Sequence, residues 1–473
     1  MEMTRRNFLA GTASAAAAAT ALGVAAENLV VNVDSAQAAE APTGFAEYAA
    51  SFSQRGGSTM SIEELNAHRR QILAEATEYT DPDTGEVVPE IYVKLRALVA
   101  TYSFGLGEVE SARSFDFFRY KFTEEEAQAW IDMPMGVLFT AQDWAQDSGR
   151  DEAECLEMCD RLAERGALWR AIRGGVHYFH QIPVMHGMAE YSQNEYDDPD
   201  FWTAYSPLKG QDFKAALMTS GTPFYRPLPP DASVVKEGDE LLPLDDWRAI
   251  IERNDTIAVC PCQCRRGRIL LGVYGEMDNP PACCDPAAAD YETPDGHPYE
   301  TCTAFGEEAE YYISLGIARQ ITKEEAVSIF ERSVDAGMVI ESMYTRDSEI
   351  ICHCHGDCCT ILSAYKALGE EFAATASCYD NLTDYVLEYD PTDCVKCGAC
   401  AERCPMEAIT MDGEDGQPKT NALCVSCGQC GLVCPAEARK LALKPKDERP
   451  IIPSTALDDY NQLAAYRIDH GML

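Results

Sequence analysis

Positive charge, long apolar runs and nucleotide-binding motifs are all scarce in this sequence. Its 473 residues contain 38 Lys and Arg against 78 Asp and Glu, a formal net charge of −40. Such a surface repels phosphate backbones, so we expect no nucleic-acid partner. No Gly-x-Gly-x-x-Gly follows a strand pattern and no P-loop occurs, which argues against nucleotide and flavin chemistry. The absence of Cys-x-x-Cys-His argues against covalent haem.

The only apolar stretch of note is at the N-terminus. Thr4-Arg5-Arg6-Asn7-Phe8-Leu9 precedes an Ala-rich run, and Ala36-Gln37-Ala38 has the small-x-small pattern of a cleavage site. This segment resembles a twin-arginine export signal, a route taken by folded proteins, with an ordinary secretory signal as the alternative. Nothing else approaches the length of a membrane-spanning helix. We expect cleavage after residue 38 and a mature chain, without a transmembrane helix, in the periplasm or at the outer face of the cytoplasmic membrane.

Cysteine, in contrast, is abundant, with 21 residues. Eight of them form two runs of the same spacing, Cys394-x-x-Cys397-x-x-Cys400-x-x-x-Cys404-Pro405 and Cys424-x-x-Cys427-x-x-Cys430-x-x-x-Cys434-Pro435. Two-cluster ferredoxins use this spacing, and the fourth cysteine of each run ligates the other cluster. The spacing therefore predicts one 4Fe–4S cluster on Cys394, Cys397, Cys400 and Cys434, and a second on Cys424, Cys427, Cys430 and Cys404. Zinc ribbons and a disulfide framework are disfavoured by the identical registers, each closed by Cys-Pro.

From about Tyr389 to Leu443 the sequence closely resembles the dicluster ferredoxin domain. We also expect Pro405 and Pro435 to begin short helices.

Ten more cysteines form three groups in the middle of the chain. These are Cys260, Cys262 and Cys264, then Cys283, Cys284 and Cys302, then Cys352, Cys354, Cys358 and Cys359. Adjacent cysteines bridge to each other poorly, but they can present several thiolates to one soft metal centre. We predict one or two further iron–sulfur clusters, with structural zinc or disulfides as alternatives. The main candidate ligands are Cys262, Cys264, Cys302, Cys352, Cys354 and Cys358, followed by Cys284 and Cys359.

Charged residues accompany these cysteines. Arg265 and Arg266 are expected to screen cluster charge or bind a substrate anion. His353 and His355 are candidate ligands, with solvated loop positions as the alternative. From about Leu244 to Leu443 the chain resembles a group of iron–sulfur proteins of anaerobic bacteria that pair a Pro-Cys-x-Cys-Arg motif and an Ile-Cys-x-Cys motif with a dicluster ferredoxin. The resemblance implies electron transfer and no specific substrate.

The N-terminal part has a helical pattern. Ser61 with Glu64 and Thr123 with Glu126 are capping boxes, and Thr140 and Asp151 also begin helices. Three helices followed by a hairpin at Gly174-Gly175 look like a winged helix. DNA binding is rejected because the third helix is acidic and the signal exports the chain. A structural or partner-docking role is expected, with Cys155 and Cys159 as core residues.

The predicted fold is therefore multidomain α+β. Its segments are a signal peptide (1–38), a winged-helix-like helical domain (39–206), a linker (207–240), a cysteine-rich α/β domain (241–385), a dicluster ferredoxin domain (386–446) and a tail (447–473). In the central domain we predict helices over Leu244–Arg253, Phe305–Leu315 and from Thr322 to about Ala336.

The predicted function is an exported electron-transfer protein that relays single electrons to or from a partner oxidoreductase, such as a membrane quinol-linked complex or a terminal reductase. The alternative is a self-contained anaerobic reductase with a catalytic central cluster, or one like the reductive dehalogenases, which usually break the second cysteine run. A docking or assembly protein is the non-redox possibility.

Overall fold

The structure is a computed structural model that describes residues 60–103, 105–208, 225–230, 242, 244–271, 291–293, 295–376, 383–412, 416–469, 471 and 473. Helices alternate with several small antiparallel sheets, which confirms the α+β class. The predicted signal peptide, Cys283 and Cys284 lie outside the described residues. Within the described part, no helix has both the length and the apolar character needed to cross a bilayer.

The N-terminal part consists of short helices whose starts are set by side-chain caps. Ser61 and Thr123 each accept a bond from the amide three residues on, and the glutamate there bonds back, as predicted. These bonds satisfy amides that a helix end leaves unpaired. The helices are α1 Ile62–Glu75, α2 Glu90–Val99, α3 Asp116–Lys121, α4 Glu124–Asp132, α5 Ala141–Ser148 and α6 Glu152–Glu164.

Two small antiparallel sheets accompany these helices. One pairs β1 Tyr79–Thr80 with β2 Val87–Val88, and the other has β3 Phe139–Thr140, β5 Val176–His180 and β4 Trp169–Arg173 as neighbours in that order. The tight turn between β4 and β5 uses Gly174 and Gly175 with positive φ, as the predicted hairpin requires. Cys155 and Cys159 are buried in the core, also as predicted.

An aromatic segment links this part to the centre of the molecule. It contains an irregular turn at Val184–Met188, α7 Ala189–Tyr191 and α8 Pro199–Pro207. The ring of Tyr196 packs on Trp202 with centroids 4.8 Å apart, and Trp202 packs edge-on against Phe201. This segment forms one wall of a cavity that is also lined by cysteines of the central region.

The central region is built on a six-stranded sheet. Its strands are β6 Tyr225–Leu228, β7 Ile257–Pro261, β8 Glu300–Phe305, β9 Arg319–Gln320, β10 Val339–Met343 and β11 Ile350–Cys354. Their order is β6–β10–β11–β8–β7–β9, and every neighbouring pair is antiparallel. The predicted α/β character is therefore wrong, because the chain reverses at each pairing instead of crossing over to a parallel strand.

Five helices pack around this sheet. The helices are α9 Trp247–Arg253, α10 Gln263–Leu270, α11 Gly306–Ser314, α12 Lys323–Asp335 and α13 Thr360–Ala376. Three of them, α9, α11 and α12, lie close to where the sequence predicts them. Thr322 caps α12 through the amide of Glu325, but the Glu325 carboxylate pairs with Arg319 at 2.6 Å.

Two segments predicted to lie outside the folded domains are parts of the fold. Strand β6, from the predicted linker, is the edge strand of the central sheet. The predicted tail forms α16 Ala456–Asp469, which packs on α1. Arg69 donates to Asn461 at 3.1 Å, and Arg467 donates to the Ala100 carbonyl at 2.7 Å. The apolar face of α16 needs such a partner to leave water.

The C-terminal part before α16 shows an internal repeat. Strand β12 Tyr385–Tyr389 pairs with β15 Arg439–Leu443, and β13 Ile409–Thr410 pairs with β14 Lys419–Thr420. Short helices α14 Ala399–Arg403 and α15 Gln429–Leu432 follow the cysteine loops. Pro405 and Pro435 lie in turns, so the predicted helix starts are wrong there. The next strands, β13 and β15, begin too soon after them for a helix to form.

Candidate metal centres

The first predicted group of four ferredoxin cysteines lines one pocket. Cys394, Cys397 and Cys400 come from one loop and Cys434 from the second run, and the pocket has a volume of about 320 Å³, including the part open to solvent. Tyr389 and Arg439 are among the other residues that line it. Four thiols around one pocket match the donor set of a 4Fe–4S cluster. The assignment of these four as ligands stays a prediction.

The second predicted group is also brought together. Burial raises the pKa of the Cys427 thiol, and the nearby sulfurs of Cys404, Cys430 and Cys424 raise it further. Burial also raises the pKa of Cys430 to about 12. Such thiols are stable as thiolates only when a metal compensates the charge, which fits a cluster site.

The backbone repeats its conformation around both groups. Positive φ angles occur at Lys396 (57°) and Ser426 (52°), and again at Gly398 (82°) and Gly428 (80°). An αL residue turns successive amides to one side of a loop and makes a concavity for an anion. Non-glycine residues adopt it at a cost, so its recurrence 30 residues apart indicates two equivalent cluster loops.

The second group lies against the central region. Arg403, one residue before Cys404, donates to the carbonyls of Asp335 (2.8 Å) and Val334 (2.5 Å). The amide of Gly356 donates to the Pro405 carbonyl at 3.1 Å. A β-carbon at Gly356 would lie 2.4 Å from that oxygen, so the close approach requires glycine. The loop that carries Cys358 and Cys359 is thus in direct contact with the Cys404-Pro405 corner.

Seven central thiols form a continuous chain in which each thiol perturbs the pKa of the next. Their order is Cys262, Cys264, Cys359, Cys354, Cys352, Cys302 and Cys260. The pKa of Cys264 is lowered by the neighbouring thiol of Cys262, and the pKa of Cys352 by that of Cys302. Six of the seven, all but Cys260, were main or secondary candidates from three separate sequence segments, so the fold brings them together.

Strand positions explain this convergence. Cys302 lies on β8, and Cys352 and Cys354 lie on β11. Alternation along β11 puts Cys352 and Cys354 on one face and His353 on the other. His353 is buried and its Nδ1 contacts the Ser333 hydroxyl at 2.7 Å. It is therefore placed away from the thiols.

Cys260 was missed as a candidate. The register pairs it directly with Cys302 across β7 and β8. Its place two residues before Cys262, in the same group of cysteines, was a usable signal. Glu341 was missed too, and it lies with Cys354 and Cys359 in a group whose donor atoms are within 4.8 Å of one another. The cysteines of the described residues are all free thiols.

A cavity separates the thiols from the aromatic segment. Its space is about 890 Å³, including the part open to solvent. His186 lies on the wall opposite the thiols, with Nδ1 3.0 Å from the Tyr225 hydroxyl and Nε2 3.2 Å from that of Tyr312. Burial lowers the pKa of His186 to about 4 and raises that of Glu190 to about 8. Both groups are thus neutral at pH 7.

The two arginines of the Pro-Cys-x-Cys-Arg motif each donate hydrogen bonds to backbone carbonyls. Arg265 donates to the carbonyls of Pro298 and His353, both at 3.0 Å. Arg266 donates to the Gln193 carbonyl at 2.6 Å, and both guanidinium groups are buried. Arg265 lines the central cavity, and its charge faces the thiols of Cys262, Cys358 and Cys354. Both predicted roles, screening of cluster charge and binding of a substrate anion, stay predictions.

Comparison with known families identifies the C-terminal part. Residues 393–438 match the family model described as a 4Fe-4S dicluster domain, and all eight cysteines of the two runs lie within the match. Curated proteins and solved structures gave no significant match to this chain. Near its C-terminus the chain contains a 4Fe-4S dicluster domain, which provides for two 4Fe–4S clusters and indicates a role in electron transfer.

Proposed function

We propose that this protein is an exported iron–sulfur protein that carries single electrons to or from a partner oxidoreductase. The observation that carries the proposal is the pair of four-cysteine groups in the dicluster domain, of which the second touches the thiol-bearing loop of the central region. When bound there, 4Fe–4S clusters supply one-electron chemistry. The chain itself supplies the thiols, the αL loops that aim amides at them, and a fixed contact to the central thiols.

The central thiols are the proposed site of further iron. Eight of the described cysteines lie close together in the central region, and the positive charge of Arg265 beside them offsets the negative charge of their thiolates. Soft thiolates select iron–sulfur clusters or zinc, and the resemblance noted in the sequence favours iron. Cys262, Cys264, Cys302, Cys352, Cys354 and Cys359, together with Cys260, are the residues we propose for it.

Metal analysis of protein purified without oxygen tests this site. The dicluster domain accounts for about eight irons per chain. We expect more than eight in the native chain and a fall to about eight in Cys264→Ala. Cys155→Ala, which removes a buried thiol of the N-terminal core, should keep the native count. About eight irons in the native chain, with one or two zincs lost in Cys264→Ala, would contradict the iron assignment.

The N-terminal part is proposed to be a winged-helix-like module for docking to the partner. Its helix α6 exposes Glu152, Glu154 and Glu157. Asp160 on the same helix instead forms an ion pair with Arg170 and contacts the ring of His177. A face of this charge repels nucleic acid and complements a basic patch on a redox protein.

Export is proposed from the Arg5-Arg6 pair and the residues after it. In a host with a twin-arginine pathway, the native chain is expected outside the cytoplasm and Arg5→Lys/Arg6→Lys inside it, because that pathway reads the paired arginines. Cell fractionation measures this. Equal export of both forms would indicate an ordinary secretory signal.

A second candidate function is a self-contained reductase. The cavity favours it, because neutral Glu190 and His186 face the thiols across a space that can hold a small molecule. Gln193 also has a buried side-chain oxygen with no hydrogen-bond partner, aimed at this space. A centre with an open coordination position should change its EPR signal when cyanide is added, whereas a fully thiolate-ligated one should not. Stoichiometric cobalt would favour a dehalogenase-like enzyme.

A further inference from the structure

A second kind of donor cluster lies at the edge of the central region. Asp295, His297, Asp357 and Cys358 offer one ligand atom each, and these atoms all lie within 4.8 Å of one another. His297 and Cys358 are buried, at 6% and 1% exposure. We propose that these four residues bind a single zinc ion, separate from the chain of central thiols.

The distances fit a tetrahedral zinc. Bonds of about 2.0–2.3 Å around a tetrahedral ion give ligand-to-ligand edges of about 3.3–3.8 Å. From Nδ1 of His297, the carboxylate of Asp295 is 3.3 Å away, that of Asp357 is 3.9 Å away and the sulfur of Cys358 is 3.8 Å away. These three distances match the tetrahedral edges, and the remaining ones are at most 4.8 Å, so the ion would fit after shifts of no more than about 1 Å.

The donor chemistry also selects zinc. One imidazole nitrogen, one thiolate and two carboxylate oxygens form a mixed set that suits a borderline divalent ion, whereas calcium and magnesium prefer oxygen alone. An iron–sulfur cluster prefers thiolates. The surroundings of Cys358 agree with a zinc site rather than a cluster site. Its sulfur lies near His297 and near the backbone carbonyl of His355, which belongs to the same loop.

Two rigid segments hold the donors in place. Asp295 and His297 lie in a tight turn closed by the bond from the Thr293 amide to the His297 carbonyl (2.9 Å), with Gly296 in the left-handed region at φ 82°. Arg265 anchors the end of this turn at the Pro298 carbonyl. Asp357 and Cys358 lie in the loop between β11 and α13.

A neighbouring histidine orients one carboxylate. Nδ1 of His355 contacts the Asp357 oxygen at 2.7 Å, and the His355 ring packs on that of His297 with centroids 4.3 Å apart. Outer partners of this kind orient metal ligands and tune their affinity. The ion would tie the turn to the loop that carries Gly356 and Cys359, and so would stabilise the contact between the central region and the dicluster domain.

Zinc and iron counts on the full-length chain test the proposal. Protein purified without oxygen is equilibrated with zinc chloride, desalted and analysed for both metals by mass spectrometry. The native chain and His177→Ala, which removes a surface histidine paired with Asp160, should each hold one zinc more than His297→Ala. All three should contain equal iron.

Asp357→Asn provides a variant that keeps the fold, because its side chain is 45% exposed. We expect it to bind zinc at least about tenfold more weakly than the native chain, the minimum loss seen even for outer partners of a metal. Cys358→Ser should lose the zinc and keep all its iron. Equal zinc in His297→Ala, Asp357→Asn and the control would overturn the proposal, as would loss of iron in Cys358→Ser. The iron count of Cys264→Ala tests the electron-transfer proposal independently of this result.

Discussion

Replacement of Arg265 by methionine is expected to lower the free energy of unfolding by about 3–5 kcal/mol and to abolish metal binding at the central thiols. The Arg265 side chain is fully buried and donates to Pro298, Thr301 and His353, so it joins α10, β8, β11 and the turn of the proposed zinc site. Methionine fills part of the volume but leaves these acceptors unpaired in the interior. It also removes the positive charge beside the thiolates.

Arg268→Met is the matched control, because Arg268 lies one turn later on α10 and, among the described residues, donates to the Ser363 hydroxyl at 2.9 Å. Its loss should cost about 1 kcal/mol and leave the metal content unchanged. Thermal unfolding followed by circular dichroism, with iron and zinc counts, measures both effects. A lysine at 265 should be intermediate, since one ammonium cannot reach the acceptors that the planar guanidinium spans. Native-like stability and metal content in Arg265→Met would refute this account of the arginine.

The second large effect concerns pH and the interface between the N-terminal and central parts. Glu308 of α11 accepts hydrogen bonds from the Trp169 indole (2.6 Å) and from the Tyr191 hydroxyl (2.8 Å). Burial raises the pKa of Glu308 to about 7, although the two hydrogen bonds lower it. Between about pH 4.5 and pH 7, the Glu308 carboxyl is therefore protonated in the folded chain and ionised in the unfolded chain. The contribution to stability is complete below about pH 4.5 and is lost as the pH rises to about 7.

Glu308→Gln should remove this loss, because a neutral amide keeps both contacts at every pH. We expect the variant to be more stable than the native chain by about 3 kcal/mol at pH 8, and the difference to shrink towards zero near pH 5. Unfolding temperatures at the two pH values measure it. Glu307→Gln is the control, since Glu307 makes an exposed ion pair with Arg173 worth at most about 1 kcal/mol. A difference that does not depend on pH would contradict the burial argument.

Local patterns in the sequence predicted local structure well. The caps at Ser61, Thr123 and Asp151 begin helices as expected, and the glycine pair at 174–175 forms the hairpin turn. Each of these features is decided by residues three or four positions apart, so the sequence carries the whole interaction. The α/β expectation for the central region failed because strand direction depends on which distant strands pair, which periodicity does not encode.

The same distinction applies to the tail and the linker. Residues 225–228 and 456–469 look like connecting segments in isolation, yet one completes the central sheet and the other covers α1. Apolar side chains occur both in linkers and in segments that pack on a core. Which of the two a segment is depends on whether the folded chain offers a complementary surface for it to pack on. Asn461 and Arg467 make the contacts that settle it for α16.

The sequence by itself determined the dicluster domain, because all predicted ligands but one of each cluster lie in a single loop of fixed spacing. The tertiary structure alone decided how the central cysteines combine. Antiparallel pairing sets Cys260 beside Cys302. Alternation along β11 puts Cys352 and Cys354 on one face and the buried His353 on the other. A turn 61 residues before Cys358 brings His297 next to it. These contacts depend on strand register and on loop packing between segments that are far apart in the chain. The residues involved can therefore act together only after the chain has folded.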